Sequence, residues 1–164
     1  MAVLLTLTFT ANPAISNTQN TELTLVGSAS FTYLFWDIYD IKLFTENGKY
    51  KPNQTPISLA LTYHQNISSE DLVDETGKQW SRFKITPSKK KLWLEQLQQI
   101  WPNVSESDTI TFHVNTHKQT LFYFNDAFIG RIDNSEFSQA FTNIWLGTKG
   151  SYPKITEALT GKSD

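Results

Sequence analysis

The sequence predicts an α+β fold in which helices are layered on one face of an antiparallel sheet. Two observations lead to this class. Segments with strand-like patterns form two groups, and two segments with apolar residues at 3.6-residue spacing separate them. The order of strands, helices, strands and helices is typical of α+β proteins rather than of alternating βαβ units. With 164 residues, the chain is long enough for one domain with a sizeable core.

The first strand group covers residues 22–44 and 57–63. Residues 22–44 predict two long strands or one strongly bent strand. Within them, LFWDIYDIKLF at 34–44 is apolar at both alternating sets of positions, so we expect that strand to be covered on both faces. Asp37 and Asp40 interrupt it. We expect these carboxylates to accept hydrogen bonds from the backbone, nearby tyrosines or a lysine, and an acid/base pair is the alternative.

Two helices are predicted between the strand groups. Ser68 opens the first, with Asp71 as its capping-box partner, and this helix is expected to run to Phe83. Pro87 opens the second, because proline fits the first helical position, and Pro102 ends it. The buried stripe of the second helix is predicted at Trp93, Leu97, Ile100 and Trp101.

The second strand group is predicted at residues 108–114, 121–124 and 128–132. Asp133 is expected to cap the following helix, with Glu136 as its partner, and Gly147 to end it. A short last helix is predicted over residues 153–159.

Composition excludes several classes of function. The net charge is −2 and the two arginines are Arg82 and Arg131, so we do not expect a nucleic-acid partner. The chain has no cysteine, which excludes disulfides and thiol catalysis. His113 and His117 lie in a strand–turn region rather than on a helix, and no phosphate or dinucleotide motif is present. We therefore predict no metal, no cofactor and no transmembrane helix.

The N-terminal segment is the basis for a prediction about export. Residues 2–11 are apolar and the small residues of ANPA follow them, as at the end of a secretory signal peptide, although a positive start is missing. We expect residues 1–17 to be a signal-peptide remnant or N-terminal extension, and residues 18–164 to be a single domain. The protein would then be periplasmic or otherwise exported. The alternative is a strand over residues 5–10, where LTLTFT alternates, and it removes most of the case for export.

Three separated motifs resemble the bacterial chalcone isomerase-like family. They are VGSASFTYLFWDIYDIKLF at 26–44, TYHQNISSEDLVDETGKQW at 62–80 and FYFNDAFIGRIDNSEFSQAFTNIWLG at 122–147. The resemblance covers residues 20–161 and implies an open-faced β-sandwich, a long antiparallel sheet with helices against it. It also implies membership of a bacterial branch whose proteins are mostly exported. The wider superfamily contains isomerases that close a ring in flavonoid synthesis, and it also contains fatty-acid-binding relatives. The family alone therefore does not decide the function.

The resemblance also implies an arginine on the early strand that faces the pocket and holds an anionic oxygen. This chain has Ser30 and Thr32 in the element where arginines are expected. Hydroxyls supply no positive charge, which puts in doubt both an anchor for a fatty-acid carboxylate and the stabilisation of a phenolate nucleophile. The absence of these arginines favours a protein that is not an enzyme, and we assign no catalytic residue.

The candidate ligand-binding residues are Ser30, Thr32, Tyr39, Tyr63, Trp80 and Arg82. The tyrosine hydroxyls would line a pocket, with ordinary sheet packing as the alternative. Arg82 would replace the missing cation, with an exposed or acid-paired side chain as the alternative.

Three functional hypotheses follow. The first is a non-enzymatic exported protein that binds a fatty acid or another small apolar ligand between sheet and helices. The second is an intramolecular lyase or isomerase acting on a phenolic or enone substrate. The third is a structural or protein-interaction module with a filled core, whose partner the sequence does not identify. A sheet–helix cavity above about 300 Å³ would favour the first hypothesis over the third.

Overall fold

The computed structural model describes residues 22–161, which form a six-stranded antiparallel sheet with helices on one face. The strands are β1 (Thr24–Tyr33), β2 (Trp36–Thr45), β3 (Ile57–Tyr63), β4 (Thr109–Val114), β5 (Thr120–Phe124) and β6 (Ala127–Ile132). The helices are α1 (Ser69–Trp80), α2 (Pro87–Ile100), α3 (Ser135–Leu146) and α4 (Pro153–Thr160). The strands lie in chain order from β1 to β6. The predicted α+β class and open-faced sandwich are confirmed. The predictions for residues 1–17 lie outside the described residues.

β1 and β2 are two strands joined by a tight turn, not one bent strand. The turn lies at Leu34, whose φ is 56°, and the tip beyond it is exposed, with Phe35 at 95% and Trp36 at 64% of full exposure. The expectation that residues 34–44 are covered on both faces is therefore wrong at this end. β3 pairs with β2 only from Tyr39 onward, so the tip extends past the rest of the sheet as a two-stranded ribbon.

The helix starts follow local capping chemistry. The Ser68 hydroxyl accepts a hydrogen bond from the backbone N–H of Asp71 at 3.0 Å and donates one to its carboxylate at 2.6 Å, so the predicted capping box is confirmed. α1 ends at Trp80 rather than at Phe83, because the next three backbone amides form tighter i→i−3 hydrogen bonds. α2 starts at Pro87 as predicted.

The cap of α3 differs from the prediction by one residue. Asn134, not Asp133, accepts the backbone N–H of Phe137, at 2.9 Å. Asp133 instead forms a salt bridge with Arg131, with 3.2 Å between Nε and Oδ2. The helix ends at Gly147 as predicted.

α4 lies directly on β1 at Gly27. A Cβ at Gly27 would lie 2.3 Å from the carbonyl oxygen of Ala158, so only glycine allows the helix backbone to approach this closely. This contact brings Tyr152, at the start of α4, over the first strands of the sheet.

The core lies between the sheet and the helices. On the central strands, Leu43, Leu59, Phe112 and Phe122 form one row across the inner face and are at most 1% exposed. α3 lies over this row, where the Phe141 ring is 4.7 Å from Phe112. No helix within residues 22–161 has the length and apolar composition needed to cross a membrane.

Candidate functional site

A large cavity lies between the first strands and helices α1, α3 and α4. Its volume is about 620 Å³. Drug-sized ligands occupy pockets of about 300–1,000 Å³, so the space is sufficient for one. Its lining is mostly aromatic and aliphatic, comprising Phe31, Tyr33, Ile38, Tyr39, Leu61, Tyr63, Ile67, Asp71, Leu72, Asp74, Glu75, Thr76, Lys78, Gln79, Trp101, Ile110, Phe112, Phe141, Ile144, Trp145 and Tyr152.

Four aromatic rings, here called the cavity cluster, form part of this lining: Phe31, Tyr39, Tyr63 and Tyr152. The Phe31 ring stacks on Tyr39 at 5.1 Å and meets the edge of Tyr152 at 4.7 Å. Tyr39 meets Tyr63 at 6.0 Å. The cluster therefore joins three strands to the start of α4 around one open space.

The hydroxyls of the cavity cluster are available to a ligand. Tyr39 accepts a hydrogen bond from Trp145 Nε1 at 3.1 Å, and Tyr152 accepts one from Gln79 Nε2 at 3.1 Å, so both phenolic protons stay free to donate. In the described part of the chain, the Tyr63 hydroxyl has no protein partner. Burial raises the pKa of Tyr39 and of Tyr63 well above the ordinary value, so both phenols remain neutral donors.

Trp101 is part of the cavity lining, but its indole N–H is enclosed by protein rather than open to the cavity. The residue is 8% exposed, and its Nε1–H has no hydrogen-bond partner among the described residues. Such buried, unpaired donors are rare in folded proteins.

The charged residues of the lining all come from α1. They are Asp71, Asp74, Glu75 and Lys78. Lys78 Nζ lies 3.6 Å from Glu75 Oε2, so the one ammonium of the lining is already paired. The lining is therefore apolar in its interior and carries an excess of carboxylates on one side.

The predicted site residues divide into three groups by position. Tyr39 and Tyr63 line the cavity. Ser30 and Thr32 do not, because Phe31 between them faces inward and strand residues alternate between faces. The Ser30 hydroxyl donates to Asp40 at 2.6 Å and the Thr32 hydroxyl to Asp37 at 2.8 Å, both on the exposed face.

The two carboxylates of β2 are hydrogen-bonded, as predicted, but by other donors than expected. Ser30 and Thr32 supply the hydrogen bonds, and His64 Nε2 lies 3.0 Å from Asp40 Oδ2. The hydrogen bond from Ser30, with a smaller contribution from His64, lowers the pKa of Asp40. Neither aspartate lines the cavity.

Trp80 and Arg82 lie away from the cavity lining. Trp80 is 1% exposed and donates from Nε1 to the carbonyl oxygen of Ala140 at 3.1 Å. It packs in the filled part of the core, against Trp93 at 5.6 Å and Phe137 at 5.8 Å. Arg82 is exposed, just beyond the end of α1.

The sequence analysis did not identify two parts of the site. The carboxylates of α1 could have been found, because Asp71, Asp74, Glu75 and Lys78 follow helical spacing and must share one face. Tyr152 could not, because its position depends on the close packing of α4 on Gly27.

Comparison with known proteins places this geometry in a family. The family model described as chalcone isomerase-like matches residues 10–161, and the chain belongs to that family. A protein of Haemophilus influenzae (strain ATCC 51907 / DSM 11121 / KW20 / Rd), described as uncharacterized, is 27% identical over 138 residues, which are 84% of this chain and 68% of that protein. The crystal structure of a fatty-acid binding protein of Arabidopsis thaliana is similar in fold, with a TM-score of 0.65 and 10% identity over 84% of this chain and 86% of that one.

Proposed function

We propose that this protein is a non-enzymatic binding protein that holds a small apolar ligand in the cavity between its sheet and helices. The observation that carries the proposal is the cavity itself, about 620 Å³ in volume and lined mainly by aromatic and aliphatic side chains. The similarity in fold to a fatty-acid binding protein supports it.

The lining suits a ligand with one long apolar part and one polar end. Burial of each methylene group contributes about 0.8 kcal/mol, so an alkyl chain in this cavity supplies the affinity. The hydroxyls of Tyr39 and Tyr63 then orient the polar end, because they are neutral donors without a competing acceptor among the described residues. In this proposal both tyrosines are ligand contacts, whereas Ser30, Thr32 and Trp80 are not.

The chemistry of the lining favours binding over catalysis. An acyl or phenolate intermediate needs a positive group or aligned donors where charge develops. In the described lining the one cation is Lys78, which is paired with Glu75, so a developing anion would have only neutral donors such as the tyrosine hydroxyls. The raised pKa of Tyr39 and of Tyr63 also makes these phenols poor sources of a basic oxygen near neutral pH. Cyclisation of a chalcone above its uncatalysed rate would overturn the non-enzymatic part of the proposal.

Native mass spectrometry tests the binding proposal. Protein purified without added ligand should carry a co-purifying apolar molecule, and the delipidated protein should melt at a higher temperature with 1-decanol. The matched control is Leu72→Trp, which fills part of the cavity from α1 and should abolish the shift while the protein stays folded. A clean ligand-free mass together with no shift in the wild-type protein would refute the proposal.

Export is part of the proposal on sequence grounds alone. It is supported by the apolar start of the chain and by the mostly exported bacterial branch of the family. Fractionation of cells that express the chain from its own start codon tests it, and recovery of the intact chain only from the cytoplasm would contradict it.

A further inference from the structure

We infer that the cavity takes an apolar ligand with a cationic end, an alkyl ammonium, in preference to a fatty-acid anion. The inference rests on the proposed function and names the chemical class of its ligand. For one chain length, the expected order of affinity is amine, then alcohol, then carboxylate.

The charges of the lining carry the first step. α1 contributes three carboxylates, Asp71, Asp74 and Glu75, against the single ammonium of Lys78. Lys78 is 3.6 Å from Glu75, so these two charges offset each other in part, and the formal charge of the lining is −2. These charged side chains are exposed, so they border the cavity on its solvent side, where water weakens but does not cancel their effect. The charged end of a carboxylate ligand is repelled there, and that of an ammonium ligand is attracted.

The field of these acids reaches the aromatic wall opposite. The charge of Glu75 contributes to the raised pKa of Tyr152 and, as a smaller contribution, to that of Tyr39, in both cases after burial itself. The charge of Glu75 therefore acts on two rings of the cavity cluster.

The aromatic wall itself suits a cation. Ammonium groups bind over the faces of tyrosine and phenylalanine rings. Phe31, which contacts Tyr39 at 5.1 Å and Tyr152 at 4.7 Å, borders the cavity together with both of these tyrosines. The Tyr63 hydroxyl oxygen, which has no protein donor among residues 22–161, can accept a hydrogen bond from an ammonium N–H.

The positive charge of Arg82 does not reverse this excess of negative charge. Arg82 is exposed and is not part of the lining. Its charge lowers the pKa of Tyr152, but burial and Glu75 outweigh it, since that pKa is raised overall.

The test compares decylamine, 1-decanol and decanoate, which share one chain length and differ in the charge of the head group. Affinities are measured by calorimetry near neutral pH and at low salt, below the concentrations at which the ligands aggregate. The variant Asp74→Asn/Glu75→Gln should weaken decylamine and strengthen decanoate, each by about threefold to tenfold, with 1-decanol unchanged. The control Glu70→Gln/Glu95→Gln removes two carboxylates outside the cavity lining and should change none of the three affinities.

The outcomes separate this inference from the proposed function. If none of the three ligands binds, the proposed function fails. If 1-decanol binds but decanoate binds more tightly than decylamine, the proposed function stands and the cation preference is overturned. Loss of decanoate binding in Arg82→Gln would show that Arg82 is a carboxylate anchor and would also overturn the preference. Equal changes in affinity in the test and control variants would mean that the overall charge of the protein, and not the cavity lining, sets the order of affinity, and would overturn the inference.

Discussion

Two aromatic clusters lie between the sheet and the helices, and they differ in what surrounds them. The packed cluster consists of Trp80, Trp93, Phe122 and Phe137, which are 0–3% exposed and meet edge to face at 5.6–6.3 Å. The cavity cluster has one phenylalanine and three tyrosines at similar spacings, 4.7–6.0 Å, and it borders a space of about 620 Å³.

The difference shows that aromatic content alone does not distinguish a filled core from a ligand cavity. Around the packed cluster, α1, α2 and α3 converge, and the indole N–H of Trp80 is satisfied by the Ala140 carbonyl oxygen within the protein. Near the cavity cluster, α4 packs against β1 at Gly27. Helices α1 and α3 and the start of α4 leave an open space beside Tyr39 and Tyr63. The two clusters therefore differ both in their residues, tryptophan and phenylalanine against mainly tyrosine, and in whether helices cover them or leave a cavity beside them.

The largest expected effect is on the packed cluster. Phe137→Ala removes a ring that is fully buried, and we expect the free energy of unfolding to fall by about 3–5 kcal/mol. Urea unfolding followed by tryptophan fluorescence measures it. The control Phe35→Ala changes a ring that is 95% exposed and should leave stability within about 0.5 kcal/mol of wild type. Similar losses of stability in Phe137→Ala and Phe35→Ala would contradict the assignment of Phe137 to a filled core and of Phe35 to an exposed ribbon.

An intermediate effect separates two tyrosines of the cavity cluster. Tyr39→Phe leaves the indole N–H of Trp145 without its acceptor, so we expect a loss of about 1–2 kcal/mol in the free energy of unfolding. Tyr63→Phe removes a hydroxyl with no protein partner among the described residues, and its stability should stay close to that of wild type. Chemical unfolding of the two ligand-free variants provides the comparison. An equal loss in Tyr63→Phe would mean that its hydroxyl is held by the protein rather than left for a ligand.

The smallest expected effect lies on the exposed face, outside both clusters. The hydrogen bond from the Ser30 hydroxyl is the main reason why the pKa of Asp40 is lowered in the folded state. A lowered pKa means that the ionised carboxylate stabilises the folded protein at pH values above the unfolded-state pKa. This stabilisation is lost as the pH falls through the folded-state pKa. Ser30→Ala should therefore cost about 0.5 kcal/mol or less near neutral pH, and less at an acidic pH low enough to protonate Asp40. Stability measured at both pH values gives the result. A cost that persists in full at the acidic pH would show that Ser30 contributes by some other contact.

Much of the fold could be predicted from local signals. The Ser68–Asp71 capping box, Pro87 at the start of α2 and Gly147 at the end of α3 act within a few residues of the chain, and each lies where the sequence predicted it. The cap of α3 lies one residue later, at Asn134, while Asp133 pairs with Arg131; both residues are good caps, and local spacing does not choose between them.

The site could be predicted only in part, because it depends on relations between distant segments. Tyr39 and Tyr63 were identified from the strands that carry them. Ser30 and Thr32 lie on the opposite face because Phe31 between them faces inward, and which residues of β1 face inward depends on its pairing with β2, including a register shift between Phe31 and Thr32. The apolar run at residues 34–44 looked buried because composition does not reveal that β2 extends beyond β3.

The most direct test of the account is a crystal structure of the protein grown with 1-decanol, a neutral ligand that does not depend on the proposed preference for cations. We predict density for the alkyl chain in the cavity, in contact with Phe31 and Tyr152, with its hydroxyl within hydrogen-bond distance of Tyr39 or Tyr63. A cavity filled by the chain itself, or a ligand found only on the exposed ribbon at Phe35 and Trp36, would contradict the account.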